Sequence, residues 1–315
     1  MKHNHQKFIK KLLSFSPRQF ACETKTADFI LDILNENNIE YILQKYSAKL
    51  PYFKKANLIC DGRSVACLPS GLKSGKILGK DVILSSLISG SGVEEIKNIN
   101  FNPHSDAISI PCYYNAPALA VSRNDLPKIF AAKKVSGQMS VVAKKHEVRN
   151  ILVGNSRNPK NIFFAHYDSI SLGACDNASG VSVMLSVLLS DQSNLKENLY
   201  VFSANEELSF DWPYYWGKGY REFEKKYLFL LKKVKNIFVI DSVGNDKTIE
   251  MKDLNMILLA FPIENISKFN KKTIVITGNF DKLMSVYHSE LDNGKNINEK
   301  YLVEAENLVI KKANG

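Results

Sequence analysis

No stretch of the 315 residues is apolar for long enough to span a bilayer, and no run of lysine and arginine is long enough to grip a polyanion. The first absence excludes a helical membrane protein. The second leaves the net charge of +10, from 42 Lys and Arg against 32 Asp and Glu, spread over pairs such as Lys10-Lys11, Lys54-Lys55 and Lys232-Lys233. That is the pattern of a solvated surface, so neither a nucleic-acid nor a membrane partner is expected. Cysteine is scarce and odd in number: Cys22, Cys60, Cys67, Cys112 and Cys175 form no CxxC pair, which excludes a thiolate metal cluster and fits reduced thiols. The opening residues, MKHNHQKFIKKLLSFSPRQF, lack the apolar centre of a secretory signal, and a cytoplasmic protein is expected. Internal repeats and low-complexity segments are missing too.

What the chain does have is an ordinary globular composition, 45% hydrophobic and 23% charged, at a length suited to one large α/β domain or two linked ones. Ala27, Ile30, Leu31 and Leu34, with Phe29 and Ile33 beside them, predict a helix over 26–37 closed by Asn37-Asn38. From about residue 50 the texture changes to short apolar runs, at 57–60, 64–67, 81–84 and 138–142, separated by Gly, Pro, Ser and Asn. They read as strands of a small β-rich module, interrupted by a short helix over 126–134. Beyond residue 150, strands at 151–153, 162–165, 199–203, 237–240 and 273–276 alternate with helices over 179–189, 220–234 and 298–311. Tyr301, Leu302, Ala305, Leu308 and Val309 form one apolar face of the last helix. This alternation predicts a three-layer α/β/α fold around a mostly parallel sheet.

In open α/β sheets the ligand site lies outside the carboxyl ends of the strands. The stretch AHYDSISLGACDNASG, at 165–180, puts His166 and Asp168 directly after one strand and Asp176 before a helix. Glu206 and Glu207 follow the next strand, Asp241 closes a third, and His288 in YHSELD lies beyond a fourth. Singly, each has a plain reading: Asp176 as a helix cap, His166 as a hydrogen-bonded core histidine, Glu206-Glu207 as a solvated turn, Asp241 as a cap. His3, His5, His104 and His146 have no acidic residue at suggestive spacing and are assigned to surface or packing. Together, several carboxylates at one buried edge would repel each other unless cations neutralise them. Two divalent ions sharing one carboxylate, about 3.5–4 Å apart, would meet that need, and imidazole plus carboxylate without thiolate suits zinc, with cobalt or manganese as substitutes.

AHYDS, GACDNASG, Glu206-Glu207, Ile240-Asp241-Ser242-Val243-Gly244 and Tyr287-His288-Ser289-Glu290-Leu291-Asp292 occur in the order seen in the M28 family of co-catalytic zinc aminopeptidases, which the chain resembles from about residue 150 onward. The resemblance implies two zinc ions, with His166 and Asp241 on one, Glu207 and His288 on the other, and Asp176 bridging both. It implies Asp168 as the partner that orients His166, Glu206 as the general base acting on a metal-bridged water, and a cis peptide between Asp176 and Asn177. The small residues Gly173, Ala174, Ala178 and Gly180 would let the loop pack close to the site.

More weakly, residues 50–148, particularly 115–122 and 138–143, are similar to the protease-associated (PA) β-module that some members carry as an insertion. The expected division is a catalytic domain of 1–49 and 149–315, with 50–148 inserted and standing over the site as a lid or filter. The activity implied is removal of amino-terminal residues from peptides with a free amino terminus. The alternatives are a carboxypeptidase of the same family, a glutaminyl-cyclase-like enzyme using one zinc, and a non-catalytic peptide-binding protein on the same scaffold. The stretch after Glu207, LSFDWPYYWG, departs from relatives that have a Gly- and Ser-containing turn there, and is expected to form an aromatic wall of the substrate site.

Overall fold

The computed structural model describes residues 5–80, 82–86 and 95–315; His3 and Asp81, which the sequence reading touches, lie outside them. Two long strands, β1 (Tyr41–Cys60) and β8 (Val135–Gly154), run antiparallel to each other from Tyr41 opposite Val153 to Cys60 opposite Val135. Between them in the chain come β2 (Arg63–Val65), β3 (Leu68–Pro69), β4 (Gly75–Leu78), β5 (Ile83–Ser85), β6 (Asn98–Phe101) and β7 (Ala118–Ala120). After β8 follow β9 (Asn161–His166), β10 (Asn198–Ser203), β11 (Asn236–Ile240), β12 (Ile249–Met251) and β13 (Thr273–Thr277).

The main sheet has the order β12-β13-β11-β9-β10-β8-β1-β2, with β4 also paired to β8. Only β13, β11, β9 and β10 are mutually parallel; every other pairing in that sheet is antiparallel. The sheet is therefore mixed, and the expectation of a mostly parallel one holds for its centre alone. The reason is that β1 and β8 form a hairpin-like ladder rather than feeding right-handed helical crossovers. The expected boundaries at 49/50 and 148/149 fall within these two continuous strands. Residues 50–148 thus build outward on the same ladder, with a second sheet of order β3-β7-β6-β5 beside it.

In the parallel centre the strands are buried on both faces, which is why they read as continuous apolar runs. Phe163, Tyr200 and Phe238 face a core shared with α1 (His5–Leu13), α2 (Ala21–Glu36), α4 (Gly180–Ser190) and α9 (Glu299–Asn314). Phe164, Val201 and Val239 face the opposite core, against α5 (Lys218–Lys233), α6 (Leu254–Ala260) and α7 (Ile266–Phe269). Each such side chain fully buried contributes about 1.5–3 kcal/mol, so these two cores dominate the fold. The outer half of β8 instead alternates, with Val135, Met139 and Val141 turned into a third cluster containing Leu58, Ile77, Ile99 and Leu119. α3 (Leu126–Ala131) sends Ile129 into the same cluster. Among the described residues no helix is long and apolar enough to cross a membrane.

Candidate metal centre

Because β9, β10, β11 and β13 are parallel, their carboxyl ends share one edge, and the chain delivers charged groups to it. His166 is the last residue of β9, Glu206 and Glu207 follow β10, and Asp241 follows β11. His288 comes after α8 (Phe280–Met284), which follows β13, and Asp176 lies in the turn leading into α4. Asn205, Ser242 and His288 have positive φ of 51°, 55° and 47°. Such backbone is held against its preference only where surrounding contacts enforce it, commonly at functional sites. The Asp176–Asn177 peptide is cis.

Asp176 does not cap the helix: the side chain of Asn177 accepts the Gly180 amide at 3.0 Å, and the Asp176 carboxylate is turned elsewhere. Asp176 stands between two imidazoles. Its Oδ1 is 3.0 Å from His166 Nε2 and its Oδ2 is 3.5 Å from His288 Nε2. Asp241 Oδ1 approaches His166 Nε2 to 3.8 Å, and Glu207 Oε2 approaches His288 Nε2 to 2.7 Å. The groups therefore sort into two poles, His166 with Asp241 and His288 with Glu207, joined by the two oxygens of one carboxylate. Close packing of the turn makes this approach feasible. A Cβ at Gly180 would stand 2.4 Å from Asn177 Oδ1 and 2.7 Å from the Ile240 carbonyl, and at Gly173, with φ of 65°, 2.4 Å from the Asp176 carbonyl.

The residues fit a metal. Ligand atoms of His166, Asp176 and Glu207 all lie within 4.8 Å of one another, and all three residues are buried. His288 Nδ1 lies 2.8 Å from the Ile110 carbonyl, which only accepts, so Nδ1 carries the proton and in the neutral ring Nε2 presents a lone pair. That lone pair faces Glu207 Oε2, acceptor against acceptor, and His288 Nε2 and Glu207 Oε1 are both buried without a hydrogen-bond partner. Orphaned atoms of this kind are rare in protein interiors, and a cation between them satisfies both. The donor set, imidazole and carboxylate without thiolate, is the one zinc accepts.

Protonation in the metal-free protein carries the same message. Burial opposes charge on His288, yet Glu207 and Asp176 push its pKa well above the usual value; for His166, Asp168, Asp176 and Asp241 do the same against burial. Asp176 is disfavoured as an anion by burial, but the two histidine rings beside it hold it well below the usual carboxylate range. Burial lifts Glu207 to about 7, helped by Asp176. Burial also lifts Glu206 well above its usual value, with Glu207, Asp168 and Asp241 adding repulsion. Protons thus do part of the neutralising that a metal would do, and a bound divalent ion inverts these directions.

Several supporting residues escaped the sequence reading. Asp292, fully buried, accepts the amides of Cys175 at 2.8 Å and Asp176 at 3.1 Å and so holds the central aspartate; burial lifts its pKa to about 6. Its position in YHSELD, four residues after His288, was the available signal. Arg18, also fully buried, donates to the carbonyls of Tyr167, Leu172 and Gly173 at 2.8–3.0 Å, clamping the segment between His166 and Asp176. No local pattern marks Arg18 in the sequence. Asp168 lies 3.5 Å from His166 Nδ1, while its two oxygens accept the amides of Glu206 at 2.9 Å and Glu207 at 3.0 Å.

A cavity opens onto these groups, lined by Glu206 and on its apolar side by Met256, Leu259, Val275, Phe280 and Leu283. Tyr215 and Trp216 of the aromatic stretch line it too, whereas Trp212 is 83% exposed and takes no part. Of the histidines assigned to surface or packing, His104 is exposed, His5 is fully buried 3.0 Å from Glu306, and half-buried His146 is 3.5 Å from buried Glu23. Those last two have acidic partners that sequence spacing could not reveal, being far apart in the chain.

A parallel-centred α/β sheet with a carboxylate and imidazole cluster at its strand ends is an architecture able to hold metal ions at that edge. Residues 148–256 match the sequence model of peptidase family M28. No curated protein sequence matches the chain. Among solved structures, a zinc aminopeptidase from Bacillus subtilis aligns with a TM-score of 0.68 and 16% identity, over 97% of this chain and 92% of its own. An aminopeptidase from Aneurinibacillus sp. strain AM-1 aligns at 0.62 and 15%, over 98% and 92%. A glutaminyl cyclase from Porphyromonas gingivalis aligns at 0.54 and 14%, over 98% and 96%. At these identities the likeness is one of fold.

Proposed function

We propose that the protein is a co-catalytic zinc aminopeptidase that takes peptides with a free amino terminus. The reading rests on one observation above all: the two oxygens of Asp176 face two separate imidazole and carboxylate pairs. His166, Asp241 and Asp176 would hold one zinc, and His288, Glu207 and Asp176 the other. Zinc bound there supplies Lewis-acid polarisation of the peptide carbonyl and acidifies water to a pKa near ~7.

The chain's own groups do the rest. Glu206 is buried at the cavity wall, its backbone amide pinned by Asp168 and its carbonyl accepting from Gly217 N–H. A carboxylate fixed there accepts the proton of the attacking water and returns it to the leaving amine. Tyr215, Trp216 and Pro111 wall the cavity, and on this reading they restrict it to the end of a peptide chain. A cyclase-like activity on the same fold would leave peptide length unchanged, so the products separate the two readings. The test is zinc analysis joined to product analysis: two zinc ions per chain, activity lost on chelation and regained with zinc, and single residues released from unblocked peptides. A well-folded, zinc-saturated protein holding one ion per chain would overturn the dinuclear assignment.

A further inference from the structure

His288 is held by residues that lie far from it in the chain, on the part built around the second sheet. Its backbone has φ of 47°, a left-handed conformation uncommon for a residue other than glycine, and its surroundings constrain it there. Three contacts from one segment supply that constraint. Asn102 donates through Nδ2 to the Met284 carbonyl at 2.9 Å, at the end of α8. Ser109 donates through Oγ to the Tyr287 carbonyl at 2.6 Å, the peptide that leads into His288. The Ile110 carbonyl accepts from His288 Nδ1 at 2.8 Å. The segment is itself braced: Asn102 Nδ2 also donates to Ser109 Oγ at 2.9 Å, and Asn102 Oδ1 accepts the His104 amide at 2.9 Å. Asn102 and Ser109 are 1% and 0% exposed.

We infer that residues 102–110 form a strap that makes His288 competent to hold a metal, with Asn102 and Ser109 as positioning residues. The argument is geometric. A ligating imidazole needs its second nitrogen engaged, which fixes the tautomer and aims the lone pair, and that engagement here comes from a backbone carbonyl. A carbonyl has no rotamer to adjust; it is placed only by where its backbone runs. Ser109 is the residue immediately before Ile110, so the hydroxyl that grips the Tyr287 carbonyl and the carbonyl that grips the ring move as one piece. Asn102 ties that piece to the end of α8, three residues before Tyr287. No comparable contact from residues 102–110 reaches His166, Asp241 or Asp176 among the described residues, so the strap acts on one pole only. The part expected as a lid or filter is on this reading a structural component of the Glu207 and His288 pole.

This inference rests on the proposed two-zinc reading, and zinc titration against a competing chelator separates the two. Ser109→Ala removes one hydroxyl and Asn102→Asp removes the amide donor while keeping shape. Each is expected to bind one zinc as tightly as the unaltered protein and the second about 10–100-fold more weakly, the usual cost of losing a group that orients a ligand. Ser109→Thr, which keeps the hydroxyl, should recover the second site. If the unaltered protein takes up a single zinc, the dinuclear reading fails. If it takes up two and Ser109→Ala does so with both affinities unchanged, the strap inference fails; equal weakening of both sites, which a general loss of fold would give, also overturns it. Ser109→Ala leaves no new bulk and keeps the test decisive where Asn102→Asp does not fold.

Discussion

Asp168 accepts the backbone amide of Glu206 at 2.9 Å through one oxygen and that of Glu207 at 3.0 Å through the other. Two adjacent glutamates are thereby locked side by side, and their side chains diverge: Glu207 reaches His288, while Glu206 makes no ion pair among the described residues and lines the cavity. The pair should fail differently when each is changed to glutamine. Glu206→Gln is expected to retain its zinc and lose about 10²–10⁴-fold in turnover, since an amide cannot accept the proton. Glu207→Gln should lose zinc first. Metal content and kcat measured on both variants decide this, and equal metal loss would refute the division of roles.

Arg18 gives a prediction in which the sign discriminates. Its guanidinium is buried near Asp168, Glu207, Asp292 and Asp176, and burial lowers its pKa against their pull. If its part were mainly electrostatic, removing a positive charge beside a cation site would tighten zinc binding. If its part is to clamp the carbonyls of Tyr167, Leu172 and Gly173, zinc binding should weaken. We expect weakening of about 10–100-fold in Arg18→Gln. Arg18→Lys should weaken it as well, because a point charge cannot reproduce the fork. Zinc dissociation constants of the two variants are the measurement.

Most of the site's identity is written locally, and most of its precision is not. His166, Asp176, Glu206, Glu207 and Asp241 each lie within a few residues of an apolar run, so strand-end logic could find them without knowing the fold. The small residues Gly173 and Gly180 announced the tight turn in the same way. Asp292, Arg18 and the strap at 102–110 act through contacts with partners more than 100 residues away, and such contacts leave no periodicity. The same reason explains the sheet. β1 and β8 each span 20 residues, yet their apolar runs at 57–60, 138–142 and 151–153 read as separate short strands, because burial is interrupted along each, over 52–57 in β1 and over 143–147 in β8.

Metal-free protein should lose stability as pH rises through the mildly acidic range. Glu207, Glu206 and Asp292 have folded-state pKa values raised chiefly by burial, to about 7 for Glu207 and about 6 for Asp292. Between the unfolded and folded values the native state holds protons that the unfolded chain has released, so stability falls with pH across roughly 4.5 to 7. His166 and His288, also raised, extend the fall above 6.5. Asp176, lowered, acts in the opposite sense but only below its usual range. Zinc would require its ligands Glu207, His166 and His288 to give up these protons, so the stabilisation it confers should grow with pH. Urea unfolding at pH 5, 6 and 7.5, with and without zinc, checks both slopes; a metal-free protein most stable at 7.5 would contradict them.

Cleavage should depend on a free amino terminus. The cavity that carries Glu206 has one apolar flank, formed by Met256, Leu259, Val275, Phe280 and Leu283, and is bounded elsewhere by Tyr215, Trp216 and Pro111. A terminal ammonium entering beside buried carboxylates gains charge-assisted hydrogen bonds that an acetylated amine cannot make. Because that gain is present in both the bound peptide and the reacting one, blocking should raise KM; because it also fixes the scissile bond against Glu206, kcat should fall too. Unblocked short peptides are therefore expected to shorten one residue at a time, and their acetylated forms to be cut at least about 10²-fold more slowly in kcat/KM, a difference of about 2.7 kcal/mol. Chromatography of timed digests of matched peptide pairs reads this directly. Equal rates on the two forms would point to recognition of a peptide's interior or carboxyl end, and the aminopeptidase reading would be withdrawn in favour of an endopeptidase or carboxypeptidase at the same metal centre.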